Sequence, residues 1–346
     1  MRIVPIILLL IVSLLTSPAL ATEIPWKVFD LISKGRIDAI ADLGNGIIVI
    51  GTRNTNPAFC FKSIDYGLTW KKVAAIESSE KRAGVTCIQS GGEGICYLLN
   101  ESSEFFRSLD YGETWRKISK LSTGSNDQGF ALSYGICVTN QGTLLVSDSN
   151  SSGGSIYRST DKGLSFSKIK FVSPEGLYRF TLLKKCIIVN GWEGVVYCSK
   201  DDGLTWAKLA VADQSPLFAT ESIGANEYLQ GTLTGNIYSG DTGTKSPKYL
   251  AKPGGAADDF VYAGYGTVIY STYTGSQSVF ISYDKGNSWI DDGVIPTGKN
   301  KDWLDHVIRV EKKDSVVILG GTNKGSIVRA SFLKDFLKQK QREYRR

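Results

Sequence analysis

The octapeptide Ser63-Ile64-Asp65-Tyr66-Gly67-Leu68-Thr69-Trp70 is the first of five near-identical copies in a chain of 346 residues. The later copies read SLDYGETW at 108–115, STDKGLSF at 159–166, SKDDGLTW at 199–206 and SYDKGNSW at 282–289, and a degenerate sixth, SGDTG, occupies 239–243. Successive copies begin 45, 51, 40, 40 and 43 residues apart. A repeat of this length is typical of one four-stranded blade of a β-propeller.

The repeated octapeptide has the composition of a tight turn between two antiparallel strands. Glycine at its fifth position allows the positive φ that such turns often need. The aspartate can accept hydrogen bonds from N–H groups of the turn, and the final aromatic ring can pack on a neighbouring hairpin. A catalytic residue is not needed in every blade. We therefore predict that the repeated aspartates are structural: Asp65, Asp110, Asp161, Asp201 and Asp284.

Short β-branched and aromatic runs between the copies predict an all-β chain of antiparallel hairpins. Six copies account for six blades, and three further strands follow Trp289 with no fourth. Pro25-Trp26-Lys27-Val28-Phe29 resembles the strands that follow the octapeptides. We therefore predict seven four-stranded blades, with residues around 26–31 closing the last blade against 326–331; six or eight blades are the alternative counts.

The two ends of the chain differ in composition from its body. Arg2, the apolar run 3–15 and a small-residue site ending at Ala21 are typical of a signal peptide, so we expect export to a secreted, periplasmic or lumenal location. The expected organisation is 1–21 signal peptide, 22–331 propeller and 332–346 basic tail.

The net charge of the chain comes mainly from that tail. The formal charge is +6, and residues 332–346 hold six basic and two acidic side chains, so the propeller is nearly neutral. Nucleic-acid binding is therefore not expected. The tail suits contact with an anionic membrane surface, and a solvated helix or a frayed terminus is the alternative. No sequence motif for a metal or a cofactor is present, and none is expected.

Six cysteines in an exported chain make disulfides possible. Cys87 and Cys96 flank one predicted hairpin, and Cys186 and Cys198 flank another. Cross-strand neighbours lie near the Cα separation that a disulfide needs. These two bonds are therefore possible, and the alternative is that all six cysteines are small buried side chains.

The octapeptides are similar to the Asp-box, also called the bacterial neuraminidase repeat. Over nearly the whole mature chain, the sequence resembles the Asp-box β-propeller superfamily, which includes sialidases, xyloglucan-type glycosidases, sortilin-type receptors and photosystem II assembly factors. The resemblance implies a ligand site on the face opposite the boxes. Loops and strand ends assigned to that face supply the predicted contact residues Trp192, Trp303, Arg36, Arg82 and Arg179.

The resemblance leaves two functions open. Sialidases have an Arg-Ile-Pro segment near the N-terminus, whereas this chain has Glu23-Ile24-Pro25. In blade number, size and closure the chain is more similar to the photosystem II assembly factors, which are non-catalytic scaffolds. We therefore predict a non-catalytic binding propeller for a protein or a glycan. The alternative is a sialidase-like or related glycoside hydrolase that uses two of the carboxylates Asp38, Glu193, Asp259 and Asp305.

Overall fold

The computed structural model describes residues 24–31, 35–78, 83–121, 132–150, 153–209, 213–243, 247–274 and 278–344. Strand β1 (Lys27–Asp30) precedes blade 1, which contains β2 (Arg36–Asp42), β3 (Ile48–Arg53), β4 (Ala58–Ser63) and β5 (Lys71–Ile76). Blade 2 contains β6 (Val85–Gly92), β7 (Ile95–Asn100), β8 (Glu104–Ser108) and β9 (Arg116–Lys120). Blade 3 contains β10 (Leu132–Val138), β11 (Leu144–Asn150), β12 (Gly153–Ser159) and β13 (Ser167–Ser173).

The remaining blades follow the same order. Blade 4 contains β14 (Leu177–Leu182), β15 (Ile187–Gly191), β16 (Val196–Ser199) and β17 (Ala207–Lys208). Blade 5 contains β18 (Leu217–Ser222), β19 (Glu227–Thr232), β20 (Ile237–Asp241) and β21 (Lys248–Ala251). Blade 6 contains β22 (Ala257–Gly264), β23 (Thr267–Thr272), β24 (Ser278–Ser282) and β25 (Ile290–Val294). Blade 7 contains β26 (Leu304–Glu311), β27 (Ser315–Thr322) and β28 (Ser326–Leu333), and helix α1 (Lys334–Tyr344) follows it.

These strands form seven antiparallel sheets of four strands, which confirms the predicted propeller. The first strand of each blade contacts the first strands of both neighbouring blades, and β26 contacts β2, so the innermost strands form a closed ring. Buried apolar residues fill the spaces between adjacent blades.

The ring is closed by the N-terminal strand, as the sequence predicts. β1 is the outer strand of blade 7, and Lys27 pairs with Arg329 while Asp30 pairs with Ser326. The preceding residue Ile24 is buried, and its N–H donates to Asp292 Oδ1 at 3.1 Å. Both ends of the chain therefore hold the last blade together.

The five full octapeptides form nearly identical turns, named box turns here, between the third and fourth strands of blades 1, 2, 3, 4 and 6. In the first, Ser63 Oγ donates to Asp65 Oδ1 at 2.8 Å and accepts from Gly67 N at 2.8 Å, while Thr69 donates its N–H and hydroxyl to the Asp65 carboxylate at 2.9 and 2.6 Å. Gly67 has φ 78°, and a Cβ there would lie 2.6 Å from Leu319 of blade 7. Each box turn thus also fits against the preceding blade.

We expect loss of a box aspartate to lower stability. In Asp110→Ala, Ser108 Oγ and the Thr114 N–H and hydroxyl lose the acceptor that they share at 2.5–2.9 Å. The free energy of unfolding should fall by about 1–2 kcal/mol. Urea denaturation measures it, and Asp110→Asn, which keeps Oδ1, is the matched control. Equal stability of Asp110→Ala and the parent chain would contradict a structural role.

Helix α1 packs on the box-turn side of blades 6 and 7. Leu337 is fully buried, and Phe336 and Tyr344 contact the ring of Tyr283 at centroid distances of 6.5 and 5.4 Å. Lys338 and Lys340 lie over aromatic rings of blade 6. β28 itself runs to Leu333, two residues beyond the predicted end of the propeller. The described part of the tail is therefore a packed helix, and contact of the tail with a membrane stays a prediction.

All six cysteines are free thiols in the structure, and the two possible disulfides differ in their geometry. In blade 2 a bulged register places Cys87 opposite Leu99 and Cys96 opposite Ser90, so the two thiols are not neighbours across the hairpin. In blade 4 Cys198 lies opposite Ile188, but the Cys186 and Cys198 thiols share a side-chain hydrogen bond, so a disulfide bond between these two stays a prediction. The alternative prediction, that the cysteines are small side chains of the core, fits their burial better.

Candidate functional site

A cavity of about 450 Å³ opens on the face opposite the box turns. Successive strands are antiparallel, so the loops that lead into each blade and the loops between second and third strands share this face. The lining residues come from blades 1, 2, 4, 6 and 7: Arg36, Asp38, Arg53, Thr86, Tyr178, Arg179, Trp192, Asp258, Tyr273, Trp303 and Asp305.

Most of the charged lining residues lie in β-bulges. In all seven blades the register of the first strand shifts near its beginning, for example between Arg36 and Ala39 in blade 1. A bulge re-aims a side chain that regular pleating would place elsewhere. Apart from Ile37, which is buried in the core, the bulged residues whose side chains are described line the cavity: Asp38, Thr86, Tyr178, Arg179, Asp258 and Asp305.

Arg36 and Asp305 form a bidentate ion pair across blades 1 and 7. Arg36 Nη2 and Nε lie 2.7 and 3.1 Å from the two carboxylate oxygens, and Trp303 Nε1 donates to Oδ1 at 3.0 Å. The Asp305 side chain is 0% exposed. Burial raises the pKa of Asp305 to about 7, although Arg36 opposes that rise.

The other two arginines also have carboxylate partners. Arg53 lies 3.0 Å from Asp38 Oδ2 and 2.9 Å from Glu101 Oε1. Arg179 Nη1 lies 3.0 Å from Asp259 Oδ2, an oxygen that His306 Nδ1 approaches to 2.6 Å and that accepts from Val307 N at 3.1 Å. Burial disfavours ionisation of Asp259, but Arg179 and His306 outweigh it and lower the pKa of Asp259.

Two aromatic pairs form opposite parts of the cavity wall. Tyr178 of β14 contacts Trp192, which lies in the 3₁₀ turn 192–194 between β15 and β16, at a centroid distance of 5.6 Å. Tyr273 after β23 contacts Trp303 at 6.5 Å. Trp192 is 41% exposed, so its ring is accessible from solvent. Aromatic surface at the mouth of a cavity is typical of binding sites.

The structure brings most of the predicted site residues together. Trp192, Trp303, Arg36, Arg179, Asp38 and Asp305 line the cavity, and Asp259 lies behind Arg179. Glu193 is exposed and does not line it. Arg82 lies outside the described residues. Four lining residues were not predicted from sequence, namely Thr86, Tyr178, Asp258 and Tyr273, and only the bulges reveal the first three.

This geometry does not resemble a pair of carboxylates prepared for glycoside hydrolysis. Of the four residues named for that alternative, Asp38, Asp259 and Asp305 have 8%, 9% and 0% of their side chains exposed and are held by arginines. Glycoside hydrolysis needs one carboxyl on each side of the scissile bond, in contact with the substrate. Asp305 cannot make that contact without moving. Among the described residues, no cluster of His, Cys, Asp or Glu could hold a metal ion.

Glu221 of β18 lines a second cavity together with Asp259, and it should make stability depend on pH. Burial raises its pKa to about 8, and the nearby Asp259 charge acts in the same direction, whereas N–H donors of Tyr262 and Ser222 and the charge of Arg309 oppose it. The folded state therefore keeps a proton that the unfolded chain loses near pH 4.5, so stability falls as the pH rises from about 4.5 to 8.

Replacement of Glu221 by glutamine should remove this part of the pH dependence. Relative to the parent chain, Glu221→Gln should gain about 2–4 kcal/mol of stability between pH 5 and pH 9. Urea denaturation at both pH values measures the change. The raised pKa of Asp305 also makes stability fall as the pH rises. The quantity to compare is therefore the difference in free energy of unfolding between Glu221→Gln and the parent chain at each pH. Parallel pH profiles would contradict the assignment.

Comparisons with known proteins agree with this fold. No protein-family model and no curated protein matches the chain. A solved structure described as YCF48 bound to D1 peptide is similar, with a TM-score of 0.68 and 16% identity over 88% of this chain and 96% of that chain. YCF48 from Cyanidioschyzon merolae gives 0.67 and 13% over 88% and 98%, and the designed protein Ika8 gives 0.55 and 12% over 88% and 99%. At these identities the likeness shows the fold alone.

Proposed function

We propose that the protein is a non-catalytic binding propeller of the Asp-box type that holds a segment of a partner protein in the cavity opposite the box turns. The observation that carries the proposal is the convergence of three arginines, three aspartates and two aromatic pairs from five blades on that one cavity. Its volume of about 450 Å³ suits a few side chains of a peptide.

A peptide is favoured over a glycan for two reasons. One similar propeller is described as bound to a D1 peptide. The lining also contains six charged side chains, which can pair with charged side chains of a peptide. A glycan ligand stays an outcome of the test below.

We also propose that the chain acts outside the cytoplasm. The support is the leader-like composition of residues 1–21, which lie outside the described residues. Within the described parts of the chain, no helix has the length and apolar composition of a membrane span. Purification from an expressing cell followed by N-terminal sequencing should give Thr22 as the first residue. A protein that retains Met1 would contradict export.

Selection of peptides tests the binding function. The immobilised protein, lacking residues 1–21, is used to enrich a displayed library of random 12-residue peptides, and an array of oligosaccharides is probed in parallel. We expect enriched peptides whose affinity falls at least tenfold in Trp192→Ala, as is usual for an aromatic residue that anchors an interface. Ile64→Ala is the matched control, because Ile64 is 71% exposed on the opposite face.

Three outcomes would contradict this proposal. The first is that no peptide is enriched. The second is that enriched peptides bind Trp192→Ala and the parent chain equally. The third is that an oligosaccharide is hydrolysed and that Asp38→Asn or Asp305→Asn abolishes the turnover, which would favour the glycoside hydrolase alternative.

A further inference from the structure

The walls of the cavity hold three guanidinium groups and three carboxylates, and two further carboxylates contact these arginines. Arg36, Arg53 and Arg179 each already lie within 3.0 Å of a carboxylate oxygen. Their five partners and neighbours are acidic: Asp38, Glu101, Asp258, Asp259 and Asp305. A ligand that enters therefore meets arginines whose charge is already balanced by carboxylates.

Two carboxylate oxygens at the cavity wall have no hydrogen-bond partner. Both Asp258 Oδ2 and Asp38 Oδ1 are buried. Asp38 is only 8% exposed, and its other oxygen is held by Arg53. Arg179 Nη1 also lacks a hydrogen bond, but it lies 3.0 Å from Asp259 Oδ2, so its charge is met. Buried polar atoms normally have partners, so these two oxygens keep an unused acceptor position, which a ligand reaches only when the side chains turn toward the cavity.

The aromatic pairs favour the same kind of ligand. The faces of Trp and Tyr rings carry partial negative charge, so they attract ammonium and guanidinium groups and repel carboxylates. Trp192 with Tyr178, and Trp303 with Tyr273, supply four such rings to the wall. Carboxylates and four aromatic rings therefore line the same cavity, and both kinds of group attract a cation.

We propose that the cavity binds a cationic side chain, arginine or lysine, of the partner peptide, between the aromatic rings and against the Asp258 and Asp38 carboxylates. This inference rests on the proposed function, since it names the chemistry of the ligand at the same site. The three lining arginines position the acidic groups, and they do not act as receptors for an anion.

The raised pKa of Asp258 agrees with a missing positive charge. Burial raises the pKa of Asp258 well above its usual range; Asp305 and then Asp259 act in the same direction, and Arg179 and Arg36 oppose the rise. A cation next to this carboxyl would favour its ionised form. Binding should therefore be measured at pH 8.

Small probes test the chemistry without a known partner. Nα-acetyl methylamides of arginine, lysine, norleucine and glutamate are added at pH 8 to the protein lacking residues 1–21, with ¹⁵N in its tryptophan indoles. We expect arginine and lysine to shift the Trp192 and Trp303 signals, with at least tenfold higher affinity than neutral norleucine. Glutamate should leave both signals unchanged. Trp192→Phe and Trp303→Phe assign the two signals.

Isosteric variants locate the charge that is responsible. Asp258→Asn should weaken binding of the arginine probe about five- to tenfold, while Asp314→Asn, in an exposed turn on the box-turn side, should leave it unchanged. If Asp258→Asn does not fold, the affinities of the parent chain for the arginine and norleucine probes still test the inference. Equal affinities for those two probes, or preferential binding of glutamate, would overturn the inference.

The two proposals can fail separately. If random peptides are enriched but carry no excess of arginine and lysine, the peptide-binding function stands and the cationic specificity is wrong. If the arginine probe binds in the cavity but no peptide is enriched, the cationic specificity stands and the peptide-binding function is wrong.

Discussion

A chain that begins at Gly35 should lose most of its stability, because it lacks the strand that closes the ring. β1 supplies the fourth strand of blade 7, and Val28 and Phe29 pack against the cores on its two sides. Ile24, 1% exposed, would also be lost, and removal of one such side chain costs about 2–5 kcal/mol. The total loss should exceed about 5 kcal/mol, comparable with the whole stability of many domains.

Circular dichroism during urea denaturation measures this effect. The matched control begins at Thr22 and keeps β1. We expect the shorter chain to be unfolded or aggregated at low urea concentration, since its β28 becomes an unpaired apolar edge. Coincident denaturation curves for the two chains would show that β1 is dispensable and would refute the closure.

The second large effect is expected for Arg36→Ala at pH 8. Arg36 is the bidentate partner of Asp305, whose side chain has no exposure to solvent. Removal of one member of a buried ion pair leaves an uncompensated charge and typically costs about 3–5 kcal/mol. At pH 5 the loss should be smaller, because Asp305, whose pKa is already raised to about 7, can take up a proton.

A double variant separates the buried charge from a general loss of packing. Arg36→Met with Asp305→Leu replaces the pair by apolar groups of similar size and should recover most of the stability lost by Arg36→Ala. Urea denaturation at pH 5 and pH 8 measures the free energy of unfolding of the single and double variants. An Arg36→Ala protein as stable as the parent at pH 8 would mean that the pair contributes nothing.

The architecture could be predicted from sequence because its signals are local and repeated. Each octapeptide fixes one turn by hydrogen bonds within eight residues, and the spacing then counts the blades. Even the closing strand is visible, since 25–29 has the composition of the strands that follow the octapeptides. The packing of helix α1 was harder to predict from sequence, because its burial depends on Tyr283 and other residues of blades 6 and 7 that are distant in sequence.

The site could be predicted only in part. Trp192 and Trp303 were found because they lie outside the repeat pattern, in loops assigned to the correct face. Asp258 was missed because its neighbour Asp259 carried the same residue type and only the bulge decides which of the two lines the cavity. A disulfide between Cys87 and Cys96 was wrong for another reason: β6 extends to Gly92, so the hairpin turn is short and Cys96 lies opposite Ser90.

Photo-cross-linking tests most directly whether this face of the propeller is the binding surface. An enriched peptide that carries a benzophenone group is irradiated with the protein, and the attachment sites are mapped by mass spectrometry. We expect cross-links on residues 36–53, 178–192, 258–273 and 303–305, and their loss in Trp192→Ala. Cross-links confined to the box turns or to α1 would contradict the account, because they would place the partner on the opposite face.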